Sequence, residues 1–311
     1  CTTICEGVRN LKNPDKASIC QFCYKSNNPN GRNLSFENFK TMIDKLPRLL
    51  TQIAFGCDSR AESNPDLFKM MKYCREIGVI PNITVADISD DIARQLCEVC
   101  GAVAVSRYED KNICYDSVKK LTDGGLDQVN VHCLLSENSF DWCMETAKDK
   151  LSDPRLAKLN AIVFLSLKKK GRAKNGFESV SYEKFRELFL WCLQNNVSIG
   201  FDSCSAPRFM QMVKDEESIE ENIRKQYLQC CEPCESGLFS FYTGVDSCYY
   251  PCSFAEKEKG WEDGLSLLGC SNFFKDIWYH PKNVKWRNSL IRSGCDGCRK
   301  CLIFPEINEI K

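Results

Sequence analysis

Short apolar runs alternate with amphipathic segments between residues 52 and 202, and this rhythm constrains the fold more than any other feature. Six runs, nearly continuous in apolar residues and rich in Val and Ile, begin 23 to 36 residues apart; they are 52–56, 79–85, 102–106, 128–135, 161–167 and 197–202. Segments with helical spacing lie between them, namely 65–77, 89–99, 140–150 and 182–195. The pattern is typical of parallel strands that are buried on both faces and joined by crossover helices.

Six such units predict an α/β fold, a partial (β/α)6 TIM-like barrel, although an open doubly wound sheet has the same rhythm. In both folds, the loops after the C-terminal ends of the strands carry function. The rhythm ends near Pro207, and a charged helix is expected at 215–229 before the composition changes. We therefore divide the chain into a core at 1–206 and a small cysteine-rich domain at 207–311. The second domain has too little regular apolar pattern to fold without a metal.

The charge balance argues against two kinds of partner. The 311 residues include 42 basic and 42 acidic side chains and no long basic run, so we expect no nucleic acid and no membrane as the main partner. The most apolar stretches are too short to span a bilayer, and the N-terminus has no signal-peptide pattern. Because it also lacks an initiator Met, we expect a fragment or a processed form.

Cysteine is unusually abundant, with 22 residues. A disulfide-rich secreted protein is one interpretation, but disulfide frameworks belong to small domains that lack a large core. Cys74, Cys97 and Cys192 lie in helix-like runs, where a buried thiol packs as a small apolar group. We therefore expect a reduced, metal-binding protein of the cytoplasm.

Three cysteines precede the first predicted helix, at 35–46. Cys20 and Cys23 are separated by two residues, so a single turn can bring both sulfurs to one metal centre. The third thiolate comes from Cys5, which gives C-x14-C-x2-C, or from Cys1; we favour Cys5 because a terminal residue is expected to fray. Three thiolates on a four-iron cluster leave one iron open to a substrate or cofactor.

Further motifs lie at the ends of the predicted strands. The first strand ends in Gly56-Cys57-Asp58, and the next two contain Asn82-Ile83-Thr84 and Val105-Ser106-Arg107. Aromatic residues, Phe22 and Tyr24, flank the last cysteine of the loop. With these motifs the chain resembles the radical S-adenosylmethionine (radical SAM) enzymes over nearly its whole length. In that family a C-x3-C-x2-C loop binds a [4Fe–4S] cluster, and an aromatic residue precedes the last cysteine.

The resemblance implies that S-adenosylmethionine binds at the strand ends. The residues it assigns to the cofactor are Phe22, Tyr24, Gly56, Cys57, Asp58, Thr84, Ser106 and Arg107. Cys57 and Asp58 stand where the family has Gly and Glu; an aspartate can still accept a bond from the methionyl ammonium, with a shorter reach. The usual first cysteine would be at Lys16, and no strand precedes the loop. We therefore expect a barrel that is open at that edge, or a chain that begins late.

The region 230–301 contains nine cysteines, and its pattern resembles the auxiliary-cluster (SPASM or twitch) domains of many such enzymes. Residues 244–252 look like the hairpin of those domains, and 276–287 like their closing helix. The resemblance implies at least one auxiliary [4Fe–4S] cluster, assigned to Cys234, Cys252, Cys298 and Cys301, with Cys295 and Cys231 as substitutes. A zinc ribbon built from the same thiolates is the alternative.

Cys204 follows the last predicted strand and should point into the mouth of the barrel. We assign it a catalytic role, as a hydrogen-atom donor or iron ligand; the alternative is a buried apolar cysteine. His132, inside a strand-like run, is expected to be a packed core residue. Residues 168–170 and Arg172 are expected to form a solvated loop, with a substrate carboxylate as an alternative partner.

The resemblance implies an oxidoreductase-type enzyme in which the cluster takes up one electron, supplied by a donor such as flavodoxin or ferredoxin, and cleaves S-adenosylmethionine. The resulting 5′-deoxyadenosyl radical abstracts hydrogen from the substrate, which we expect to be a peptide because the auxiliary domain resembles those of peptide maturases. A small-molecule dehydrogenase or epimerase is the alternative within the family. A zinc-stabilised binding protein is the alternative outside it.

Overall fold

A computed structural model describes residues 1–9, 20–56, 60–294 and 298–308. Its centre is one parallel sheet whose strands follow in chain order: β1 Gln52–Gly56, β2 Ile80–Val85, β3 Val103–Arg107, β4 Val129–Leu135, β5 Ala161–Ser166 and β6 Ile199–Phe201. Each strand begins and ends within two residues of its apolar run. The prediction of six parallel strands is confirmed.

Helices connect the strands and cover one face of the sheet. They are α1 Phe36–Lys45 before β1, then α2 Leu67–Glu76, α3 Asp90–Val99, α4 Lys111–Asp123, α5 Phe140–Asp149 and α6 Tyr182–Gln194. Three of them begin at a serine N-cap, Ser35, Ser89 and Ser181, whose hydroxyl accepts a bond from a backbone N–H of the first turn. The helices expected at 35–46, 65–77, 89–99, 140–150 and 182–195 are confirmed to within about two residues at each end, whereas α4 was not among the expected helices.

Alternate residues of the central strands face the helices. Val103, Val105, Val129 and Val131 are fully buried there. The other set of alternating residues, which includes Ser106 and His132, faces the opposite side of the sheet. Ser106 and His132 are neighbours in the register of β3 and β4. This second face, together with the C-terminal ends of the strands, is where the candidate site lies.

The sheet is open. In the described ranges, no further strand pairs with the outer edges of β1 and β6. A six-stranded parallel sheet flanked by helices is compatible with a partial TIM-like barrel. Within the same ranges, no helix combines the length and the apolar character needed to cross a membrane.

The prediction of one charged helix at 215–229 is wrong for its first residues, 216–220, which are not helical. Two helices, α7 Ala206–Asp215 and α8 Glu221–Cys230, lie on either side of a turn. Hydrogen bonds from Arg186 and Ser218 lower the pKa of Glu216, in this turn, to about 2. Glu216 therefore anchors the turn as a carboxylate and separates the two helices.

The region after α8 contains an antiparallel sheet of β7 Tyr242–Thr243, β8 Cys248–Tyr250 and β9 Leu265–Ser266, followed by α9 Pro281–Arg292. A hairpin is present, formed by β7 and β8, and it begins two residues before the one expected at 244–252. The apolar pattern of this region is irregular, but the inference that it sustains no core is wrong, because large side chains are buried in it: Tyr249, Tyr250, Trp261, Leu267, Phe273 and Ile277. These residues belong to the same continuous apolar cluster as the main sheet.

Candidate metal and cofactor site

Three thiols of the N-terminal segment lie close together. Burial, with smaller effects from the neighbouring Cys23 and Cys5, raises the pKa of the Cys20 thiol to about 12. Cys5 is 7% exposed, and its backbone N–H donates to the carbonyl of Asn28 at 3.0 Å. The structure therefore brings Cys5, Cys20 and Cys23 into one neighbourhood, with Cys5 buried and the other two half-buried, although 14 residues separate Cys5 from Cys20.

Cys1 is held in place, contrary to the expectation that it would fray. Its carbonyl accepts hydrogen bonds of 2.9 Å from the N–H of Leu34 and from the side-chain amide of Asn64. The preference for Cys5 as the third ligand instead depends on its position beside Cys20.

Ser106 and Tyr108 connect the end of β3 to the cysteines. The centre of the Tyr108 ring lies 5.7 Å from that of Phe22. The side chain of Ser106 forms a hydrogen bond with the Tyr108 hydroxyl. Burial raises the pKa of Tyr108, and Cys20, Cys23 and Cys5 all add to the shift because they lie nearby. Tyr108 was missed by sequence reasoning; its only signal was an aromatic residue just after a strand.

Arg107 lies on the other side of β3. Its Nη2 donates to the Glu145 carboxylate of α5 at 2.8 Å, and the side chain is 2% exposed. Strand alternation places it with Val105 on the helix-covered face. The structure therefore does not bring Arg107 to the cysteine group.

The remaining residues assigned to the cofactor are only partly described. Gly56 and Thr84 are register neighbours at the adjoining C-terminal ends of β1 and β2. Cys57 and Asp58, which follow Gly56, lie outside the described residues, so their assignment stays a prediction.

The loop after β5, residues 168–172, is called here the basic loop. It binds residues 20–28, which contain Cys20 and Cys23 and are called here the cysteine segment. Arg172 donates from Nε to the carbonyl of Cys20 and from Nη1 to the carbonyl of Asn27, both at 2.8 Å. Its backbone N–H donates to the carbonyl of Cys23 at 3.0 Å. Gly171 has φ +60°, and a Cβ there would lie 2.5 Å from the carbonyl oxygens of Cys23 and Tyr24.

The basic loop also binds the C-terminal region. Lys170 Nζ donates to the carbonyls of Phe254 at 2.8 Å and Glu256 at 2.6 Å. Lys168 is 6% exposed and forms an ion pair with Asp202. The expectation of a solvated loop is therefore wrong for Lys168, Lys170 and Arg172.

A second group of thiols joins the C-terminal region to the main sheet. Burial raises the pKa of Cys234 to about 11, and Cys252 and Cys301 contribute because they lie nearby. Burial also raises the pKa of Cys204, with contributions from the neighbouring Cys301 and Cys252. Cys298 is buried near Cys231, whose pKa it helps to raise. Cys295 lies outside the described residues.

Tyr24 lies near both groups of thiols. Its ring centre is 4.5 Å from that of Phe254, and burial raises its pKa to about 12, with Cys252 and Cys23 both close enough to contribute. The neighbouring Lys25 forms an ion pair with Glu256 of the C-terminal region. Both cysteine groups therefore lie on the same side of the sheet.

His132 lies on the second face of the sheet, opposite the helices, and not in the packed helix layer. Burial lowers the pKa of its imidazole to about 4, although the carboxylate of Asp202 opposes this effect. The ring is therefore neutral at neutral pH and can act as a hydrogen-bond partner on this face.

The donors in both groups fit iron–sulfur chemistry, because thiols are the ligands that such clusters prefer. Backbone N–H groups also donate to sulfur, from Phe254 to Cys252 Sγ at 3.4 Å and from Phe304 to Cys301 Sγ at 3.3 Å. In the part of the chain that the structure describes, no three His, Cys, Asp or Glu side chains are positioned so that they could hold a metal ion. The cysteine groups therefore fit a cluster by the chemistry of their thiols and by the closeness of the thiols to one another.

Comparison with known proteins gives no family for the chain. No family model matches it, and no curated protein is significantly similar to it. Its function must therefore be argued from its own residues and their geometry.

The contact of Gly171 with the cysteine segment can be tested with Gly171→Ala. Gly176 is the matched control, because its φ is +80° but a Cβ there would have no atom within 4 Å. Both variants strain the backbone, whereas only Gly171→Ala overlaps Cys23 and Tyr24. We expect Gly171→Ala to lower the free energy of unfolding by about 1–3 kcal/mol more than Gly176→Ala does. Equal effects in chemical denaturation and in proteolysis near residues 20–28 would contradict the assigned contact.

His132 gives a prediction about pH. Its pKa in the folded protein, about 4, lies below the ordinary value of 6.5, so the unfolded chain binds the proton first on acidification. We expect the imidazole NMR signals to remain those of the neutral ring down to about pH 5. As the pH falls from 6.5 to about 4, wild type should lose stability relative to His132→Gln by up to about 1.4 kcal/mol per pH unit. A ring protonated at pH 6 would contradict this.

Proposed function

We propose that the chain is a radical SAM enzyme with a partial (β/α)6 barrel and an auxiliary-cluster region. The observation that supports this most strongly is the proximity of Cys5, Cys20 and Cys23 to one another and to the C-terminal end of β3. Catalytic residues of parallel α/β folds lie at this end of the strands. Three thiolates of one cluster leave one iron for a cofactor.

A [4Fe–4S] cluster held there would supply the electron that cleaves S-adenosylmethionine to a 5′-deoxyadenosyl radical for hydrogen abstraction from the substrate. The chain's own residues provide the setting. Arg172 binds carbonyls of the cysteine segment, Gly171 allows its close approach, and the rings of Phe22 and Tyr108 are in contact beside it. Ser106 lies at the correct strand end to contact the cofactor.

The remaining cofactor contacts are proposed from the strand ends. Gly56 and Thr84 lie at adjoining ends of β1 and β2, and the motif continues into Cys57 and Asp58. Because Arg107 pairs with Glu145 in the helix layer, Ser106 is the better candidate on β3.

We propose a peptide substrate, cytoplasmic location and an electron donor of the flavodoxin or ferredoxin kind. The support is the C-terminal region, which is bound to the same side of the sheet as the cysteine group through Lys170 and Tyr24. A small-molecule dehydrogenase or epimerase uses the same chemistry.

A zinc-binding protein is the second candidate. The observation that favours it is the group of Cys234, Cys252 and Cys301, because a set of thiolates suits zinc as well as iron. Metal analysis of anaerobically purified protein separates the two. Zinc without iron or labile sulfide would support the binding protein.

The central test replaces Cys5, Cys20 and Cys23 together with Ala. The triple variant should lose about four irons per chain, the content of one cluster, and should form no 5′-deoxyadenosine from S-adenosylmethionine under reducing conditions. Cys74→Ala, in the helix layer and 0% exposed, is the control for loss of a buried thiol and should keep both properties. A triple variant that keeps its iron and its cleavage activity would refute the proposal.

A further inference from the structure

We infer that Cys204, from the main sheet, completes a four-thiolate iron–sulfur site with Cys234, Cys252 and Cys301, in the place that the sequence assigns to Cys298. This deepens the proposed function, on which its iron–sulfur chemistry rests. One ligand then comes from the barrel and three from the C-terminal region. The centre would join the two parts of the chain, and Cys204 would be a ligand and not a hydrogen-atom donor.

Cys204 is held in a defined position just after β6. It lies in the turn Ser203–Ser205, where the Ser205 hydroxyl donates to the Asp202 carboxylate at 2.7 Å and the Ser205 N–H donates to the Asp202 carbonyl at 2.8 Å. The same turn packs against the turn Pro305–Asn308, close after Cys301 in the chain. The geometry therefore places Cys204 at the contact between the sheet and the C-terminal segment.

Lys168 links Cys204 to the loop that contains Cys252. Its ammonium group pairs with Asp202, hydrogen-bonds Cys204 and lies 5.1 Å from the ring centre of Phe254. A fixed positive charge thus lies beside the thiols.

The other three sulfurs are already oriented by the backbone. The N–H of Phe254 donates to Cys252 Sγ at 3.4 Å, and that of Phe304 to Cys301 Sγ at 3.3 Å. The Phe254 and Phe304 rings are 6.0 Å apart, so these two loops are in contact. Cys234 accepts a backbone hydrogen bond in the same way. Hydrogen bonds to sulfur stabilise the thiolate form that binds iron.

Cys298 has different surroundings. Its thiol lies 4.0 Å from the carbonyl of Arg299, next in the chain, to which it donates. It lies near Cys231, whose pKa it helps to raise. The contacts of the Cys204 turn with the segment after Cys301, and of Lys168 with Phe254, favour Cys204 over Cys298 as the fourth ligand.

The ligand set defines the class of group that this site would take. Four thiolates ligate all four irons of a [4Fe–4S] cluster and leave none open, which suits electron transfer or structure but not cofactor cleavage. On binding, each thiol loses its proton and forms one iron–sulfur bond. The ammonium group of Lys168 offsets part of the negative charge of the loaded site.

The test compares Cys204→Ser with Cys298→Ser in the full chain, purified and reconstituted anaerobically. We expect Cys204→Ser to contain about four fewer irons than wild type and to lose one electron paramagnetic resonance (EPR) signal. The signal that changes on addition of S-adenosylmethionine should remain. Cys298→Ser should keep the iron and both signals. Should Cys204→Ser fail to fold, Cys204→Ala, which leaves no buried hydroxyl, gives the same readout.

Two results would overturn the inference: full iron in Cys204→Ser, or loss of about four irons in Cys298→Ser. Failure of the proposed function has a different signature. In that case wild type would show no EPR change with S-adenosylmethionine, while loss of iron in Cys204→Ser would still support the four-thiolate site.

Discussion

The binding of backbone carbonyls by the basic loop, residues 168–172, is the interaction on which the candidate site depends. Arg172 holds the carbonyls of Cys20 and Asn27, and Lys170 holds those of Phe254 and Glu256. Hydrogen bonds from charged donors contribute about 1.5–3 kcal/mol each when they are buried. One loop that follows a central strand thus positions two segments that are more than 200 residues apart in sequence.

This arrangement explains why two groups of thiols lie on the same side of the sheet. Tyr24 packs against Phe254 at 4.5 Å and lies near both Cys23 and Cys252. With its pKa raised to about 12, Tyr24 remains a neutral ring at physiological pH. This aromatic contact therefore links the segment of Cys23 to the loop of Cys252.

Much of the fold could be predicted from the sequence because its signal is local. Strands buried on both faces produce continuous apolar runs, and all six were located within two residues. The two-residue spacing of Cys20 and Cys23 is local as well. Cys5 could be proposed only as one of two options, since its position depends on hydrogen bonds to the 28–32 segment.

The rest depends on contacts between distant residues. Nothing in the spacing of Lys170 and Arg172 shows that they bind carbonyls instead of water, or that Lys168 pairs with Asp202. The orientation of Arg107 follows from the pleat of β3, which a motif alone does not define. The aromatic core around Tyr249 and Trp261 was missed because its residues are spread over short strands and turns, without a helical or strand-like period.

The central claim, that the Cys5, Cys20 and Cys23 group leaves one iron open to S-adenosylmethionine, can be tested most directly by electron–nuclear double resonance. The reduced wild-type protein would be measured with S-adenosylmethionine labelled with ¹⁵N at the amino group. The account predicts a hyperfine coupling between the cluster and the labelled nitrogen. A protein that contains reducible clusters but shows no such coupling would contradict it.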